Sequence, residues 1–295
     1  HWYAAASRAK LAGAALVHAL EPFAYSYLSA RLGSGAVNNG SRTLALWART
    51  RLTRHIQRAL AERHMAAAAL CGAGYDVLLT DASHVLLADP RPAFAAATAR
   101  AELALLAARN VVDVTRGTYG LMWNLMLLRG RSSRRRPELL RFVDASIRMG
   151  LVDFYLRWWA GHHAIYVGYS KFADSLRLAP EDAALTPAKV AARPNDTVVL
   201  TAERRNWCSE SLGCLRFGML PLDKFPLPGA YPGARESAVI GRATRGPVRH
   251  RIRLDRYDEQ DFDELVANMK RDGLWVAQGG EWQLKVKAEA RRGHA

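Results

Sequence analysis

The sequence is short of cysteine and of acids. Three cysteines stand in 295 residues, at Cys71, Cys208 and Cys214, and no two have the C-x-x-C spacing of a structural zinc site. Cys71 lies in an apolar run and reads as a small core residue. Cys208 and Cys214 bracket a short Ser/Gly loop and can close a disulfide where the compartment is oxidising. No uncharged apolar run reaches the roughly 18 residues a spanning helix needs. The most apolar early stretch, residues 11–20, is too short to span. It follows Arg8 and Lys10 and has the outline of a signal-peptide core, but no small-residue cleavage pattern comes after it. The chain opens at His1, so a fragment or processed form is expected, with any membrane anchor only in a missing N-terminal segment.

Acids number 27 against 42 lysines and arginines, a net charge of +15. Such a balance points to a polyanionic partner, or else to the Ala- and Arg-rich composition of a GC-rich coding sequence. Nucleic acid is not expected: the basic residues are scattered among helices, and no aromatic-basic RNA-binding motif is present. The run Arg134 to Arg136 reads as a solvated turn. Two sequons, Asn39-Gly40-Ser41 and Asn195-Asp196-Thr197, lean weakly toward a secretory route. There is no internal repeat.

What is present is globular. Half of the residues are apolar, and the length supports a real core. Residues 3–31 read as helix and 33–41 as loop. Residues 42–72 read as a helix stopped by Gly72 and Gly74. Tyr75-Asp-Val-Leu-Leu-Thr follows as a near-continuous apolar strand, the pattern of a central parallel strand covered on both faces. Helix, tight turn and buried strand make half of a βαβ unit. A helix is expected over 94–109, with short strands over 111–115 and 121–129. A further helix, over 138–160, turns Leu139, Phe142, Ile147, Leu151 and Phe154 to the core. Residues 176–196 read as linker. Residues 214–233 read as a strand that becomes an irregular, proline-broken loop. Near the end, 258–275 reads as an amphipathic helix.

The stretch GAGYDVLLTDASHVLLADP resembles the signature of the nucleotide-diphospho-sugar transferases of glycosyltransferase family 77, the plant and algal arabinosyl-, xylosyl- and galactosyltransferases. Gly74, Tyr75, Val77, Leu78, Thr80, Asp81, Leu87, Asp89 and Pro90 match that pattern without a gap. Leu220, Pro221, Phe225, Pro226 and Gly229 resemble the family's later L-P-x-x-x-F-P-x-G segment. ANMKRDGLW resembles its close, and GTYGLMWNLMLLR its segment ending in an arginine. The best-matched part is 42–276, within a single transferase domain over 1–295. The resemblance implies an α/β, Rossmann-like GT-A type fold with a mostly parallel central sheet flanked by helices. It also implies a Golgi-lumen enzyme that moves a sugar from a nucleoside-diphosphate donor to a glycan or glycoprotein acceptor, with manganese as the expected divalent cation.

The departures bear on the chemistry. Two acids at i and i+2 on a strand end point the same way, into the crevice beyond the strand, and share a cation with the leaving diphosphate. Here Asp81 is kept, but the second acid falls on Ser83, a neutral oxygen. Asp81, Ser83, Leu220 and Phe225 are the expected nucleotide-sugar contacts. Asp81, Ser83 and, weakly, His250 are the expected metal ligands. Metal binding is then weak, or dispensable with arginines stabilising the leaving group, or catalysis is lost and the chain serves as a glycan-binding or scaffold protein. Asp81 as a plain strand-end cap is the structural alternative. Asp89 reads as a turn or helix start. His84 falls on the opposite face from Ser83 and reads as a core or loop histidine. The acceptor hydroxyl is the nucleophile, and no catalytic base is assigned.

Overall fold

The computed structural model describes residues 2–19, 22–40, 55–80, 84–113, 118–130, 137–152, 176–185, 189, 196–202, 205–226, 238, 240–242 and 267–271. Helix α1 (Trp2–Arg8) ends before Lys10, which takes a left-handed φ of 58°. Strand β1 (Val17–Ala19), helix α2 (Pro22–Leu32) and strand β2 (Val37–Asn39) follow. β1 and β2 pair in parallel, with Val17 opposite Val37. The helix expected over 3–31 is therefore two helices with a strand between them, and part of the expected loop is a strand. The break comes where the chain turns at Lys10, and Pro22 restarts the helix at a position that needs no N–H.

Helix α3 (His55–Gly72) leads into strand β3 (Val77–Thr80). Its end is a left-handed cap. The Gly74 N–H donates to the Cys71 carbonyl (2.9 Å) and the Tyr75 N–H to the Leu70 carbonyl (3.1 Å), with Gly74 at φ 97°. That pair of bonds requires a positive φ, which glycine adopts without penalty. Beside it, the Asp76 carboxylate accepts the Gly130 N–H at 2.8 Å. A Cβ on Gly130 would stand 2.1 Å from the Tyr75 carbonyl oxygen, so only glycine fits that approach.

Strand β4 (His84–Leu86) and helix α4 (Arg91–Ala97) precede two long strands, β5 (Leu103–Asp113) and β6 (Thr118–Leu128). Helix α5 (Pro137–Val152) follows, then β7 (Leu176–Leu178), β8 (Val198–Ala202), β9 (Cys208–Ser209), β10 (Gly213–Cys214), β11 (Arg216–Met219) and β12 (Ile240–Arg242). The main sheet has six strands in the order β3-β6-β5-β11-β8-β7. Its β5–β11 pairing is parallel; the other four are antiparallel.

The described sheet thus differs from a mostly parallel one, and the reason is local. The helix expected over 94–109 stops at Ala97, and residues from Leu103 on are strand. Only four residues then separate β5 from β6, and a parallel return needs a crossover of a dozen or more. The directions still align four strands: β3, β5, β11 and β7 run one way, β6 and β8 the other. β3 stands at the sheet edge, where an inner position was expected.

Helices nevertheless cover both faces. On one face, Leu79, Met126 and Leu128 join Cys71 of α3 and Leu139, Phe142, Val143 and Ile147 of α5 in the larger core. On the other, Leu125 joins Ala5 and Ala6 of α1, Phe94 and Ala97 of α4, Val85, Leu86 and Ile240 in a second core. The unbroken apolar run at the end of β6 follows from this, since alternate side chains serve different cores. Phe142 anchors the first core, with its ring edge-on to Trp207 at 5.6 Å and to Phe217 at 5.2 Å. Leu139, Phe142 and Ile147 are buried as the helical spacing predicts. Leu151's side chain, Phe154 and most of 258–275 lie outside the described residues.

Candidate functional site

The candidate site is the end of the sheet where β3 and β11 finish. Thr80, the last residue of β3, sits opposite Leu125 of β6. β4 begins at His84, so Asp81, Ala82 and Ser83 form the link between two strands. Asp81 and Ser83 lie outside the described residues, as does His250. β4 is buried along its length and pairs antiparallel with β12, Val85 opposite Gly241. β11 runs in the direction of β3, so the segment after Met219 emerges at the same end.

That segment packs beside β4 and α4. Leu220 and Phe225 are 0% and 1% exposed in the second core, where the Phe225 ring lies 4.9 Å from that of Phe94. Side chains so buried hold the segment in place, in the second core. The Phe225 N–H donates to the Pro221 carbonyl at 3.0 Å, closing a helical turn over the proline-rich stretch. The Ile240 N–H donates to the Lys224 carbonyl at 3.3 Å, tying the turn to β12. Between the two anchors, Asp223 and Lys224 keep part of their side chains in solvent, with 3.6 Å between carboxylate and ammonium. Residue typing passed over this pair; the signal was a charged dipeptide enclosed by prolines.

Asp89 and His84 take structural roles. The Asp89 carboxylate accepts the Arg91 backbone N–H at 3.0 Å and pairs with the Arg91 guanidinium at 2.6 Å, at the start of α4. Those bonds, the guanidinium's first, hold the exposed Asp89 carboxyl below its usual range. His84 is 2% exposed, opposite Arg242 in the β4–β12 ladder.

The opposite end of the sheet is a set of clamps. Glu102 accepts the Arg216 N–H at 2.7 Å, and Arg129 donates to the Thr98 carbonyl at 2.7 Å. Arg129 is the arginine that closes the family-like segment, and its place is here. Arg216 also pairs with Glu181. Toward the β3 end, past β7, Arg100 lies 3.5 Å from Asp182, whose carboxylate accepts the Val199 N–H at the start of β8. Near the clamped end Cys208 and Cys214 form a disulfide across β9 and β10, as their spacing predicts, while Cys71 is buried and not in a disulfide. A shallow groove of 300 Å³ lies between Arg141, Asp144 and Trp207, away from the β3 end.

No protein-family model, curated protein or solved structure matches this chain.

Proposed function

We propose that the chain is a nucleotide-sugar transferase domain that works at the carboxyl end of β3 on a nucleoside-diphosphate sugar, with a glycan or glycoprotein as acceptor. One observation carries the reading. Two of the sequence blocks that resemble family 77, 74–90 and 220–229, lie some 130 residues apart in the chain, and Phe94, Leu86, Leu220 and Phe225 join their surroundings in one core. Both blocks follow strands of the same direction, so they leave the sheet at one end. That is where ligands bind in open α/β sheets.

The donor set fits a tightly held cation poorly. A hard divalent ion is held by carboxylate oxygens, and this motif offers one carboxylate and one hydroxyl. In the proposed mechanism Asp81 accepts a donor hydroxyl or an ordering water. Lys224, carried at this end of the sheet, offsets charge that grows on the leaving diphosphate. The acceptor oxygen bonds to the anomeric carbon as that carbon's bond to the diphosphate breaks, and the hydroxyl proton passes to the departing nucleoside diphosphate. Calorimetry with uridine diphosphate, with and without manganese, tests the reading: micromolar to millimolar binding supports it.

A second reading has one observation in its favour, the neutral Ser83 in the second acid's place. On it, the chain is a non-catalytic family member that binds glycan or acts as a scaffold. Donor binding without any sugar hydrolysis or transfer would favour that reading.

A further inference from the structure

We propose that α2 and the groove beside it dock on an anionic lipid surface, with the headgroup and upper acyl region of a bilayer as the occupant. None of the eleven residues of α2 is buried. Phe23 is 57% exposed and stacks on Tyr27 at 6.1 Å, and the Arg31 guanidinium stands 4.4 Å from the centre of the Tyr27 ring. One helix face therefore carries an apolar ring, a ring with a polar tip and a cation, at successive turns. α2 packs on β1, β2 and the turn that joins it to β2. That turn borders an open, mainly apolar groove of 460 Å³ whose lining includes Leu16, Gly35, Val37, Ala66 and Leu70. Leu16 is 46% exposed, and Met65, next to Ala66 on α3, is 42% exposed. So three of the five large hydrophobic residues exposed among the described residues belong to this N-terminal unit.

Charge selects the occupant. Among the described residues before α3 the charged ones are Arg8, Lys10 and Arg31, and none is an acid. A neutral protein partner would gain nothing from that excess. An acidic polysaccharide or a nucleic acid would use the charge but offer nothing to Leu16, Phe23 and Met65. A bilayer with anionic headgroups uses both, because apolar and aromatic side chains enter the acyl boundary while cations stay at the headgroups.

The test is sedimentation of the full chain, without nucleotide, on vesicles of phosphatidylcholine alone and with about 30 mol% phosphatidylserine, an anionic surface of the kind that attracts polybasic segments. The proposal expects partitioning at least tenfold stronger on the anionic vesicles, weakened in high salt. Phe23→Ser and Leu16→Ser should each weaken it about threefold or more, while Phe23→Leu keeps it. Circular dichroism and melting of the serine variants check that they fold. Should they not, Phe23→Trp serves instead, and brominated lipid must quench its emission beyond the wild-type background. Absence of vesicle binding overturns the proposal. So does equal binding by folded serine variants, or no added quenching of the tryptophan variant, since charge alone then acts and a soluble polyanion such as heparin becomes the better partner. None of these outcomes bears on the transferase reading.

Discussion

Ser83 is the residue on which the chemistry turns. A carboxylate there would add a charged ligand toward a hard cation, and charge-assisted contacts are worth about 1.5–3 kcal/mol. Ser83→Asp should therefore tighten manganese-dependent nucleotide binding by roughly tenfold or more. Lys224→Ala should weaken metal-free diphosphate binding severalfold and leave the melting temperature nearly unchanged, since its ammonium is an exposed partner of Asp223. If the variant binds as the wild type does, Lys224 has no part in the site. Gly74 is a purely structural case. Its φ of 97° makes Gly74→Ala cost about 1–2 kcal/mol, read from urea unfolding. Asp89 supplies a pH dependence of known sign. Its folded pKa is lowered, so its contribution at the start of α4 is present above the ordinary carboxylate pKa and fades as pH falls through the folded one. A carboxyl-carbon NMR titration should find its midpoint below the usual carboxylate range.

Elements differ in how far the sequence announces them. β3 and the end of β6 were legible because continuous apolar residues between breakers have few other uses. α5 was legible because Leu139, Phe142 and Ile147 recur at helical spacing. β5 was not: its start, Leu-Ala-Leu-Leu-Ala-Ala-Arg, has high helix propensity, and pairing with β6 and β11 overrides it. The edge position of β3 also had no local signal, because it depends on partners far along the chain. For the candidate site, the motif gave Asp81 and the segment after β11, whereas the burial of Leu220 and Phe225 emerges only from packing. Two elements are open to direct test. Reducing the Cys208–Cys214 bond, or Cys208→Ser with Cys214→Ser, should cost about 2 kcal/mol, because the closed loop is short. Phe142→Ala should cost about 3–5 kcal/mol, because it empties the contacts to Trp207 and Phe217 together.

At the scale of the molecule, a mixed sheet with a core on each face sets two ends apart. Side chain to backbone bonds clamp one end, where Glu102 accepts the N–H that starts β11 and Arg129 donates to the Thr98 carbonyl. The other end carries two of the chain segments that resemble a nucleotide-sugar transferase, those at the ends of β3 and β11. The central claim is that this second end receives a nucleoside diphosphate through Asp81. Isothermal titration of uridine diphosphate into wild-type protein and Asp81→Ala, each with and without manganese, tests it most directly. The account predicts measurable wild-type binding, only modest gain from manganese, and at least a tenfold loss in a folded Asp81→Ala protein. Binding of equal strength in wild type and Asp81→Ala would contradict it, as would no binding of any nucleoside diphosphate to the folded wild type.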